Sequence, residues 1–144
     1  MMSDRQRIGV LVGGVAGHRD LSLRAGEAVA GILGEAGHTA ELIFVDRDVD
    51  LALRQGRWDA AFLALRGRYA ADGCLQGLLE LRGIPYTGSG LLASALTLDR
   101  AKTRDLLRLH NLPTASAYVI DAECESSLDD LHGTFGFPAW VFPH

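Results

Sequence analysis

Three places in this chain set reactive side chains in glycine-rich surroundings: His18 after Gly13-Gly14, Arg66 before Gly67, and Ser89 between Gly88 and Gly90. Glycines on both sides of a serine let the backbone take positive φ and leave N–H groups free to meet an anion or a neighbouring strand. A nucleophilic serine also needs a histidine and an acid to activate it. No such matched pair is identifiable for Ser89, so hydrolysis is set aside. The His18 and Arg66 loops suit a carboxylate or phosphate, as hydrogen-bond donors and, for arginine, as a fixed positive charge. His38, His110, His132 and His144 show no metal-ligand spacing, and Cys74 and Cys124 form no C-x-x-C pair. That cysteine usage points to a reducing compartment and to no metal site.

These loops need a frame. Ile8-Gly9-Val10-Leu11-Val12 is a continuous apolar run closed by Gly13-Gly14, the pattern of a parallel strand covered on both faces. A helix follows, with Ala25, Ala28, Val29, Ile32 and Leu33 as its expected apolar stripe and Gly37 as its stop. Strands are expected at 40–46 and 59–65, with a short helix or turn between them over 48–58. A further helix is expected over Cys74–Leu81, ended by Gly83. Alternating strands and helices make an α/β fold: three layers around a mostly parallel sheet, with ligand loops at the carboxyl ends of the strands. Gly13–Gly17 and Gly67–Gly73 fall at those ends. Asp99 is placed to cap a helix running to His110, and Asn111-Leu112-Pro113 to end it. Beyond it, strands are expected at 117–120 and 137–142 and a helix at 126–135. An apolar strand two residues from the last residue suggests that a second domain begins near 114 and is incomplete.

Composition narrows the partners. Across 144 residues, 48% hydrophobic and 22% charged content is that of a folded domain with a real core. A formal charge of −4 argues against a nucleic-acid partner held through phosphates. No apolar run approaches the roughly 20 residues of a membrane span. A cytoplasmic protein is expected, with no membrane association.

The series Gly83-Ile84-Pro85-Tyr86-Thr87-Gly88-Ser89-Gly90, then Ala93-Ser94-Ala95-Leu96 and Asp99, closely resembles the N-terminal part of D-alanine–D-alanine ligases. These belong to the ATP-grasp superfamily. Ile8–Gly14 and Asp72–Leu81 carry the same resemblance, which extends over nearly the whole chain. It implies a Rossmann-like pre-ATP-grasp domain over residues 1–113 and the start of an ATP-grasp central domain over 114–144. It also implies a family reaction in which ATP phosphorylates one D-alanine and a second attacks the acyl phosphate. Mg²⁺ neutralises the phosphates in that reaction.

The resemblance places Gly13, Gly14, His18, Leu21 and Ser22 at the first D-alanine, Arg66 near the transferring phosphoryl group, and Arg100 at the nucleotide phosphates. Several positions depart from the family pattern. His18 stands for a glutamate that holds an ammonium group, Arg66 for a histidine, Ala71 for a glutamate, and Phe142 for a lysine that binds ATP. Arg100 replaces a lysine and keeps its charge. Together these imply a frame retained while catalysis is relaxed, with no cofactor bound by this chain alone. Two other readings stand beside it: a non-catalytic dimerisation module, since the family's N-terminal domain contributes to a homodimer, and a binder of small carboxylates or phosphates.

Overall fold

The run Arg7–Gly13 forms β1 because six of its seven residues are buried, Val10, Leu11 and Val12 completely, and only a strand covered on both faces accommodates that. A computed structural model describes residues 5–14, 19–67, 69, 71–120, 138 and 140–142. After β1 come α1 (Arg19–Glu35), β2 (Thr39–Val45), α2 (Val49–Gln55), β3 (Ala60–Leu63), α3 (Cys74–Leu81), α4 (Leu91–Leu98) and α5 (Arg100–Leu109). The chain divides into two units, Met1–Leu98 and Asp99–His144.

In the first unit the sheet order is β2-β1-β3, all parallel. Val10 aligns with Leu42 on one side and with Phe62 on the other. Tyr86 adds a single-residue parallel bridge to Ala61: Ala61 N–H donates to Pro85 C=O and Thr87 N–H to Ala61 C=O. One face of the sheet packs Leu11, Ile43 and Ala61 with Val49 and Leu53 of α2, Leu75 and Leu79 of α3, and Ile84. The other face carries Val10 and Val12 and is covered by α1. The three-layer arrangement is as expected.

α1 meets the sheet differently from the expected stripe. Its buried residues are Ser22 and Gly26, while Ile32 is 66% exposed and Ala25 and Ala28 face solvent. Gly26 explains the shift: a Cβ there would collide with Val12 Cγ1, so the helix axis lies close to the sheet. Small residues set the closest contact; Val29 and Leu33 of the expected stripe are half-buried, and Ile32 turns outward. The helix ends as its glycine implied. Gly37 has φ +91°, its N–H donates to Gly34 C=O, and His38 N–H donates to Leu33 C=O. Gly83 ends α3 by the same pair of bonds, to Glu80 and Leu79.

In the second unit Asp99 Oδ1 accepts Lys102 N–H at 2.9 Å, which makes Asp99 the N-cap of α5. Asn111, at φ +57°, closes the helix. The expected strand at 117–120 is absent, and residues 140–142 are not in a strand either. An apolar run becomes a strand only when a neighbour pairs its backbone, and among the described residues none does so for these. The expected helix at 126–135 lies outside the described residues.

Candidate functional site

The carboxyl ends of β1 and β3 come together through one hydroxyl. Ser22 on α1 is 3% exposed; its Oγ accepts Gly13 N–H at 3.0 Å and donates to Ala64 C=O at 2.7 Å. Gly13 and Gly14 turn the chain at φ +111° and +94°, a conformation only glycine adopts readily. Gly14 also lies against the next loop: a Cβ on it would stand 3.5 Å from Leu65 and 3.7 Å from Arg66 C=O. Arg66 itself is exposed, and among the described residues its guanidinium forms no ion pair or hydrogen bond.

Asp72 ties Tyr69 to the start of α3. One carboxylate oxygen accepts Tyr69 N–H at 2.8 Å and the other accepts Cys74 N–H at 3.0 Å, at the start of α3. Tyr69 is held at φ +70°, which is strained for a residue with a side chain. Partial burial opposes ionisation of Asp72, but the N–H donors of Tyr69 and Cys74 outweigh it and leave the pKa below its ordinary 3.8. The stabilisation is therefore complete above the ordinary carboxylate value and is lost as pH falls through the lower folded value. Thermal melts between neutral pH and pH about 2 should show this acid-side loss in the native sequence, and Asp72→Asn should flatten it.

Behind this loop a cavity of about 260 Å³ is lined by Leu65, Ala71, Gln76, Thr87, Ser89 and Ser94, among others. Ser94 Oγ accepts from Gln76 Nε2 at 3.3 Å and donates to Ser89 C=O at 3.2 Å; both side chains are buried. Tyr86 Oη donates to Glu80 at 2.7 Å and accepts Leu91 N–H, which fixes where α4 begins. The Glu80 carboxylate beside it, followed by slight desolvation, pushes the phenol pKa up. At Gly73 (φ +86°) a Cβ would stand 2.7 Å from Leu91 C=O, so the first turn of α4 seats directly on the loop. Gly88-Ser89-Gly90 is thus the entry to α4, packed through Ser94 against α3.

A D-alanine–D-alanine ligase of Desulforudis audaxviator is 42% identical over 136 residues, which is 94% of this chain and 44% of that protein. The chain is an N-terminal homologue of the D-alanine–D-alanine ligases. A ligase of Pelotomaculum thermopropionicum is 45% identical over 115 residues, 80% of the chain and 36% of that protein. The solved ligase of Bacillus anthracis complexed with ATP superposes with a TM-score of 0.77 at 32% identity, covering 88% of this chain and 43% of its own. The Aeromonas hydrophila ligase, at 21% identity and a TM-score of 0.76, shares the fold. The chain spans less than half the length of the curated relatives named here. No family model matches it.

In this ligase homologue the first unit gathers Gly13, Gly14, Ser22 and Arg66 at one edge of the sheet. Leu21 is 47% exposed on α1, and His18 lies outside the described residues. Arg100 belongs to the second unit, where its guanidinium lies 4.0 Å from the centroid of the Phe142 ring. Phe142 has no group for a phosphate, so within this pair only Arg100 offers one. The described residues contain no group of three or more His, Cys, Asp or Glu side chains that could hold a metal ion. Asp72, Gln76, Tyr86 and Ser94 organise the site; in the sequence they belong to the stretches that carry the resemblance and have no assigned site role.

Proposed function

We propose that this chain supplies the amino-terminal share of an ATP-dependent D-alanine–D-alanine ligase reaction, serving peptidoglycan synthesis, and that alone it does not turn over. The observation that carries this reading is 42% identity across 94% of the chain to a D-alanine–D-alanine ligase. The Gly13-Gly14 turn, held by Ser22 and flanked by Leu21, supports the first D-alanine. Arg66 faces developing phosphate charge, and Arg100 meets the nucleotide phosphates. ATP, when bound, supplies the activating phosphoryl group. The family positions at Arg66, Ala71 and Phe142 have lost the side chains that the family uses, which supports relaxed catalysis. The pre-ATP-grasp share runs to about residue 113, and the protein works in the cytoplasm as a homodimer.

Phosphate release measured with ATP, Mg²⁺ and D-alanine should stay at background for this chain, and D-alanine-dependent turnover would overturn the inactive reading. Fusion of the chain to the remainder of the Desulforudis ligase tests the rest. Restoring Arg66→His, Ala71→Glu and Phe142→Lys in that fusion should raise kcat by about a hundredfold, the scale of one lost transition-state contact. A soluble fusion inactive in both forms would refute the assignment. No helix among the described residues is long and apolar enough to cross a membrane.

A further inference from the structure

Two departures from the ligase pattern touch each other. Arg100 and Phe142 each stand where the family carries a lysine, and the Arg100 guanidinium lies over the Phe142 ring, 4.0 Å from its centroid. Both residues belong to the second unit. Arg100 is the first residue of α5, and the Asp99 cap, whose Oδ1 accepts Lys102 N–H, fixes where its side chain leaves the helix. Arg100 is exposed, and its guanidinium forms no ion pair or hydrogen bond among the described residues. Arg104 stands one turn further along the same helix face and makes no ion pair there either. Like charges at this spacing repel, and an anion beside them relieves the repulsion.

A guanidinium is planar, and its N–H donors radiate within that plane. A ring against one face therefore takes no donor away. What it removes is rotamer freedom: an arginine already held against a ring has less entropy to lose when it grips an anion. A lysine would gain less from the same ring, because its ammonium is a compact, strongly hydrated point charge with no plane to lay on it. We infer that Phe142 is a positioning residue for Arg100, holding the guanidinium so that its N–H edge is presented to the oxygens of a polyphosphate. The exchange that removes a phosphate contact at 142 thereby strengthens the one at 100, and the two exchanges are coupled. This inference rests on the reading that Arg100 meets the nucleotide phosphates.

The test is an NMR titration of the isotope-labelled full chain with inorganic tripolyphosphate, followed at the amides of residues 100–104 and at the Arg100 side-chain Nε–H. These signals should shift and saturate at millimolar tripolyphosphate. Phe142→Leu should weaken binding about two- to fivefold, the scale of an exposed cation–π contact, and Phe142→Tyr should restore it. Leucine is the informative change, because lysine at 142 would bring its own charge to the anion. With Arg100→Gln in place, Phe142→Leu should have no further effect, since the ring then has no guanidinium to hold. If Arg100→Gln binds as the native chain does, the reading of Arg100 as a phosphate contact falls, and this inference with it. If Arg100→Gln weakens binding and Phe142→Leu does not, this inference alone is overturned. A native chain with no saturable shift, or effects of the two changes that simply add, also overturns it.

Discussion

Replacing Gly26 by alanine should lower the stability of the first unit by about 1–3 kcal/mol, even though alanine is the better helix former. Helix propensity alone predicts the opposite sign, a gain of about 1 kcal/mol from removing a glycine inside a helix. Position decides between them. Gly26 is buried where α1 crosses β1, and an added methyl would collide with Val12 Cγ1 and press toward Leu42, 3.4 Å away. Val12 is fully buried in a packed strand and cannot step aside without disturbing the sheet. Gly31 and Gly34, on the same helix, provide the internal control. Nothing lies within 4 Å of a Cβ built at either, so alanine there should stabilise by about 0.5–1 kcal/mol. Urea unfolding of the three single variants reads the contrast directly. A stabilised Gly26→Ala would mean that α1 does not lie close on the sheet.

The second large effect belongs to Ser22→Ala. This change leaves the volume nearly intact and removes one oxygen, but that oxygen serves two backbone groups: it accepts Gly13 N–H and donates to Ala64 C=O. Leaving a buried polar group without a partner costs about 1–3 kcal/mol, so losing this tie should cost about 2–4 kcal/mol in all. The damage should also be local. Amide hydrogen exchange at Gly13 and Gly14 should rise by more than the global loss of stability explains, because the turn loses its anchor. Cysteine at the same site, a much weaker donor and acceptor, should behave like alanine. Uniform acceleration across the unit, with no excess at the turn, would show that Ser22 is only a packing residue.

These two residues also mark where the sequence stops being informative. The resemblance placed Ser22 beside the first D-alanine, yet the partners of its hydroxyl lie nine and 42 residues away, and no local pattern encodes that pairing. The sequence pattern assigns Gly26 no role, and the expected stripe runs through Ala25, Ala28, Val29, Ile32 and Leu33, of which only Val29 and Leu33 are half-buried. Helical periodicity locates an apolar face when large residues make the contact. Here Ser22 and Gly26 make the closest contact, and the expected stripe meets the true interface only at Val29 and Leu33. Features carried by neighbouring residues were legible. The buried run of β1, the glycine stops at Gly37 and Gly83, the cap at Asp99 and the order of strands and helices all follow from short-range rules. The run at 117–120 misled for the complementary reason: β-propensity describes fitness for a sheet, and a sheet position needs a partner. At the site, glycines and charges were visible, but the tyrosine, glutamine and serine that seat α4 on α3 act through contacts between elements.

The one-residue bridge from Tyr86 to Ala61 has a consequence for how copies of this chain can associate. It occupies the outer side of β3 with a segment containing Pro85, which lacks an N–H to donate to a ladder, while the side beyond β2 stays open. Sheets that polymerise end to end need two receptive edges, so that each copy offers one and accepts at the other. A sheet with one receptive edge joins another copy through that edge only symmetrically, edge to like edge, and that contact uses up both. Among the described strands, ladder pairing of first units through β2 would therefore join edge to like edge and stop at two.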